Sequence, residues 1–141
     1  MRNKEQKGDL TVQAIAGTHV VLLGMHFPKQ ECPGLLGFAL RREDHTEGEK
    51  YWLRGYKTFK SVEPFPPPGM LYSTRQHPIQ GFTWSDFSAK PEHDYTYEVF
   101  ALRGTPPPSS RLLSKRRFVG LEVVTAHRPY RVTSGYYLKS Q

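Results

Sequence analysis

Residues 90–104, KPEHDYTYEVFALRG, place a nine-residue alternating run between turn formers. Tyr95, Tyr97, Val99 and Ala101 fall on one side of an extended chain, and Thr96, Glu98, Phe100 and Leu102 on the other. Side chains of a strand repeat every second residue, so such a run is a strand with an apolar face and cannot be an amphipathic helix. The same grammar recurs in LTVQAIAG (10–17), with Leu10, Val12, Ala14 and Ala16 in phase, and in LLGFALRRE (35–43), with Leu36, Phe38 and Leu40 in phase. HVVLLGMHF (19–27) is dense enough to be buried on both sides, and IQGFTWSDF (79–87) sets Phe82 and Trp84 toward the core. KYWLRGYKTF (50–59) and RRFVGLEVVTA (116–126) complete the set, and LYST reads as a short edge strand. No stretch of useful length carries a helical period.

Twelve glycines and twelve prolines separate these runs, and 13% of the residues are aromatic. About seven short strands at regular spacing predict an all-β sandwich or barrel. The two proline loops, VEPFPPPGM (62–70) and GTPPPSS (104–110), favour the sandwich, because they have to run over its ends. At 141 residues the chain reads as one domain over 9–126, with 1–8 a flexible lead and 127–141 a basic tail.

The formal net charge of +7 is unevenly placed. Residues 1–102 hold 12 basic and 12 acidic side chains, whereas residues 103–141 hold eight basic and one acidic. Arg111, Lys115, Arg116, Arg117, Arg128 and Arg131 are therefore the candidate contacts for a nucleic acid or an anionic surface. A solvated loop and tail is the simpler account, and a protein is the favoured partner. Cys32 is the single cysteine, so no disulfide forms within the chain and a reducing compartment, by default the cytoplasm, is expected. No run is long enough to span a bilayer as a helix, and no signal peptide is read at the start.

Tyr95 opens the last clean strand four residues after Pro91. In a sandwich of immunoglobulin type, a tyrosine there folds its ring against the core edge while its hydroxyl bonds a backbone group just upstream. Two residues on, where an antibody domain has cysteine, stands Tyr97. KPEHDYTYEVFAL resembles strand F of a fibronectin type III domain; FTWSDFSA, LEVVTA and LLGFALRRE resemble its strands E, G and C. A narrower resemblance rests on GLLGFALRREDHTEGEKYWLRG (34–55) and STRQHPIQGFTWSDFSAKP (73–91), which look like the N-terminal domain of bacterial phospholipase D-like proteins. That resemblance implies an accessory sandwich preceding a phosphodiesterase domain. The superfamily's catalytic signature is His-x-Lys-x4-Asp. His19, His26, His45, His77, His93 and His127 are followed two positions on by Val21, Pro28, Glu47, Ile79, Tyr95 and Pro129, so no catalytic residue carries over. The stretch 127–141 departs from the group's pattern.

Other chemistry finds little support in spacing. The histidines form no HxH or HExxH pattern, no serine sits in a nucleophile elbow, and no cofactor is implied. DHTE (44–47) gathers three polar donors in one turn, as solvated turns commonly do. PFPPP and TPPPSS read as loop stiffeners, with docking into an aromatic groove as the sharper alternative. Tyr51, Trp52, Tyr56 and Phe59 are expected to pack beneath the proline loop, with outward stacking on sugars or bases as the alternative. The expected function is a non-catalytic interaction module.

Overall fold

In the computed structural model, which describes residues 2–17 and 19–104 and the strand segments 120–125, 130–133 and 136–139, the chain enters as a hairpin. β1 (Arg2–Lys7) pairs antiparallel with β2 (Leu10–Ala16), Lys7 opposite Leu10, across the two-residue loop Gly8–Asp9. Gly8 takes φ 59, the left-handed value that the first corner of a type II′ hairpin turn demands. The expected flexible lead over 1–8 is thus corrected to a strand. Its RNKEQK sequence has no apolar residue, so no hydrophobic period announces it. The Gly-Asp pair ahead of an alternating run was the available signal.

β3 (Val21–His26) pairs with β2, and β8 (Thr83–Asp86) pairs with β3, giving a four-stranded antiparallel sheet in the order β1-β2-β3-β8. The second sheet runs β10-β9-β4-β5, from β4 (Leu35–Asp44), β5 (Glu49–Trp52), β9 (Tyr95–Arg103) and β10 (Gly120–Thr125). β10 also lies against β1 and β2, so the sheets meet along that edge. Two short ladders stand apart: β6 (Arg54–Gly55) with β7 (Tyr72–Ser73), and β11 (Tyr130–Thr133) with β12 (Tyr136–Lys139). The last ladder lies within 127–141, the stretch expected as a basic tail. A single 3-10 turn, Lys29–Glu31, is the only helical element among the described residues. The protein is an all-β sandwich of antiparallel sheets.

The core lies between the inner faces. Leu10, Val12, Ala14, Val21, Leu23 and Met25 from one sheet meet Phe38, Leu40, Tyr97, Val99 and Ala101 from the other. Each large side chain so buried contributes roughly 1.5–3 kcal/mol over leaving it in water. β3 is buried on one face only: Val21, Leu23 and Met25 point in, while Leu22 and His26 are exposed. The density of apolar residues in 19–27 had implied two buried faces. Phe82 stays partly outside, edge-on to Phe38, while Trp84 is half-buried against the core. Trp84 approaches Gly55 so closely that a Cβ there would meet its ring at 2.9 Å.

The free edge of β4 is completed by loop residues. Phe38 and Ile79 exchange backbone hydrogen bonds of 2.8 and 2.9 Å, and Leu53 N–H donates to Leu40 O at 2.8 Å. The Thr74 hydroxyl accepts from Leu40 N–H at 3.0 Å and donates to Leu40 O at 3.1 Å, taking the place of a ladder partner. The long 56–78 connection is anchored to the sandwich this way.

Candidate functional site

After its bulge at Leu36, β4 holds strict alternation, so the face that carries Phe38 and Leu40 goes on to carry Arg42 and Asp44. The core therefore ends in charge. Arg42 is 3% exposed and its Nη1 donates to Asp86 Oδ2 at 2.6 Å and to Ser88 Oγ at 2.9 Å. Asp86 belongs to β8, in the opposite sheet, so the pair joins the two layers. The Tyr97 hydroxyl donates to the same Oδ2 at 2.9 Å, while Ser88 Oγ and Ser88 N–H donate to Oδ1. Asp86 is thereby fully satisfied, which a buried carboxylate requires. Burial, then the neighbouring Asp86 charge, push the Tyr97 hydroxyl far above the ordinary phenol range, so it remains a donor. Burial pulls the Arg42 guanidinium down, yet Asp86 outweighs this and leaves it above its usual value.

Arg41 and Arg42 are neighbours pointing to opposite faces of β4, and each meets two aromatic rings. Arg42, inside, lies between the rings of Tyr51 on β5 and Tyr95 on β9, 4.9 and 4.7 Å from their centres. Arg41, outside, sits over the packed pair of Trp52 on β5 and Phe100 on β9, 5.2 and 5.4 Å from their centres, the rings themselves being 5.2 Å apart. Each has an acidic partner: Asp86 inside, and Glu98 outside, which Lys50 also reaches at 3.1 Å. Planar guanidinium stacking on aromatic faces is a contact lysine cannot reproduce. Of the strand-50–59 aromatics, Trp52 packs on this outer stack and Phe59 lies beside His77, while Tyr56 is 69% exposed.

Beyond Arg42, Asp44 is 2% exposed and ties the β4–β5 turn to the 87–94 loop. Its Oδ1 accepts from Thr46 and Glu47 N–H at 2.9 and 3.1 Å, and its Oδ2 accepts from His93 Nδ1 at 2.7 Å. Burial raises the Asp44 carboxyl, but the His93 bond and the two backbone donors prevail and set it below its usual value. Lys90 Nζ reaches Glu47 at 2.6 and 2.7 Å, and Asp94 N–H donates to Thr46 Oγ1 at 2.9 Å. Tyr95 is buried beneath this junction, and its hydroxyl accepts from Lys90 N–H at 2.7 Å, five residues upstream.

Asp44, Glu47 and His93 bring one donor atom each within 4.8 Å of one another, a mixed oxygen and nitrogen set of the kind that takes a divalent ion. In this arrangement Lys90 claims Glu47, and His93 with two N–H groups claims Asp44, so the cluster is closed as a hydrogen-bonded junction. The DHTE turn supplies two of its members, but His45 turns away to Thr96 Oγ1 at 2.7 Å, and His93 comes from 49 residues further on. Sequence spacing misses His93, Lys90 and Asp86, because each becomes a partner only when the sheets stack.

The candidate anion contacts Arg111, Lys115, Arg116, Arg117 and Arg128 lie outside the described residues, and Arg131 falls on β11, where the strand alone is described. Among the described residues no helix is long and apolar enough to cross a membrane. The surface opposite the charged junction in character is the 62–71 loop, where Phe65, Met70 and Leu71 are 88, 50 and 43% exposed. Phe87, beside β8, is 79% exposed. No family model, curated protein or solved structure matches the chain.

Proposed function

We propose that this sandwich is a non-catalytic interaction module that works by contact with a protein, similar to the accessory domain that precedes the phosphodiesterase domain in phospholipase D-like proteins. The observation that carries the reading is the contrast between committed charge and uncommitted apolar surface. Arg42 with Asp86, Arg41 with Glu98, Lys90 with Glu47 and His93 with Asp44 are engaged across strands and turns. Large apolar side chains, led by Phe65, Phe87 and Tyr56, stand in water. Exposed aromatics on a rigid scaffold are the usual anchors of protein contacts. The sheet order β1-β2-β3-β8 facing β10-β9-β4-β5 supports a fibronectin type III-like arrangement with one added N-terminal strand.

Benzoylphenylalanine at positions 56, 65 and 87, irradiated in the native cell, should give discrete crosslinked species from at least one face. Uniform failure at all three counts against a contact function. The purified chain should leave a generic phosphodiester unchanged, and turnover that persists through purification overturns the non-catalytic reading.

A further inference from the structure

We infer that β8 (Thr83–Asp86) is a docking edge on which a second copy of this chain pairs antiparallel, joining two sandwiches into a twofold dimer through one continuous sheet. The inference goes beyond the contact reading above, since the occupant is the chain itself and no foreign partner is needed.

The ladder shows which groups face outward. Met25 N–H donates to Phe82 O at 2.8 Å, and in an antiparallel ladder hydrogen-bonded pairs alternate with unbonded ones. Leu23 with Trp84 and Val21 with Asp86 are therefore bonded pairs, and the N–H and C=O groups of Thr83 and Ser85 point away from β3. Among the described residues no backbone group meets them. The edge of β4, in contrast, is filled by Leu53, Thr74 and Ile79.

The other outer strands are guarded. β1 and β10 lie against one another, and β1 carries Arg2, Lys4, Glu5 and Lys7. β5 carries Glu49 and Lys50. Charge, proline or a bulge are the usual means by which a sheet edge avoids adding a strand. β8 reads Thr-Trp-Ser-Asp, its register with β3 is unbroken, and its single charge, Asp86, is turned inward onto Arg42. Apolar side chains frame it. Leu22, opposite Ser85, is 36% exposed, and Phe82 and Phe87, at the two ends, are 43 and 79% exposed.

A second copy suits this edge better than a loose peptide. Pairing centred on Trp84 sets Thr83 opposite Ser85 of the second copy, and Ser85 opposite its Thr83. Each outward N–H then meets a C=O, and hydroxyl side chains face each other on one side of the sheet. The same register brings Phe87 to Gly81 of the second copy, where no side chain stands in the way. No outward charge on either edge meets its like. An edge this short offers few bonds, and a flexible peptide would lose more conformational freedom than they offset, whereas the second copy's strand is already extended. A twofold pairing uses each edge once, so growth stops at the dimer.

The test is sedimentation equilibrium of the full chain from about 5 µM to about 1 mM. The mean mass should rise from one chain toward two, and the amides of Thr83 and Ser85 should exchange more slowly in the concentrated sample. Ser85→Pro removes an outward N–H and no bond to β3, and Ser85→Lys sets like charges near one another. Each should weaken the dimer by about tenfold or more, and the lysine variant should melt, when dilute, where the parent does. A mass that stays at one chain throughout, a dimer indifferent to both substitutions, or a mass that climbs past two chains overturns the inference. A crosslink from position 87 to a second copy of this chain belongs to the dimer, whereas crosslinks to other proteins from positions 56 and 65 bear on the contact reading alone, so the two fail separately.

Discussion

Single side chains decide whether the two layers hold. Tyr95→Phe removes one acceptor from Lys90 N–H and should cost roughly 1 kcal/mol, read as a melting point lower by a few degrees. No change in melting counts against the bond at that corner. Tyr97→Phe should cost more, about 1.5–3 kcal/mol, because its hydroxyl donates to a buried carboxylate. Arg42→Met strands Asp86 and should cost about 3–5 kcal/mol. Arg42→Lys should recover only part of that, since an ammonium cannot stack between Tyr51 and Tyr95 as a guanidinium does. Equal stability of the lysine variant and the parent, by urea titration, would remove the stacking from the account. Thr74→Val leaves Leu40 N–H without its acceptor and should cost about 1–3 kcal/mol despite the equal volume.

At the level of strands and turns, the β4–β5 turn and the 87–94 loop act as one body through Asp44, His93, Glu47 and Lys90. Both Asp44 and Glu98 titrate below the usual carboxylate value. For Glu98, burial raises the carboxyl, and Arg41 and Lys50 more than reverse it. Groups depressed in the folded state stabilise fully above their unfolded pKa, roughly 4, and that stability is lost as pH falls through the lower folded value. Asp44→Asn should therefore flatten the acid limb of a plot of urea midpoint against pH below about pH 4; a limb of unchanged slope contradicts the junction. The elements themselves were unevenly legible. β2 and β9 announce themselves because apolar and polar residues alternate without a break. β1 carries only polar residues, so pairing with β2 and a Gly-Asp turn, not burial, makes it a strand. Leu36 seemed in phase with Phe38, yet the bulge between Leu35 and Gly37 shifts the register there.

For the whole molecule, architecture was readable and the charged junction was not. Alternation shows which residues face inward, but not which inward residues meet across the gap. Arg42 and Asp86 stand 44 positions apart, and only stacking of the sheets makes them a pair. Gly55 shows the same limit: its lack of a side chain matters because Trp84 arrives from the other sheet, and Gly55→Ala should lower the melting point while Gly48→Ala acts only through its turn. The layers are clasped by matched charge and a shared proton donor where other sandwiches use a sulfur–sulfur bond. Unfolding and recovery of this scaffold consequently involve no electron transfer. A chain diluted from denaturant should regain its form equally fast in thiol-rich and thiol-free buffer, and no shuffling catalyst should alter the yield.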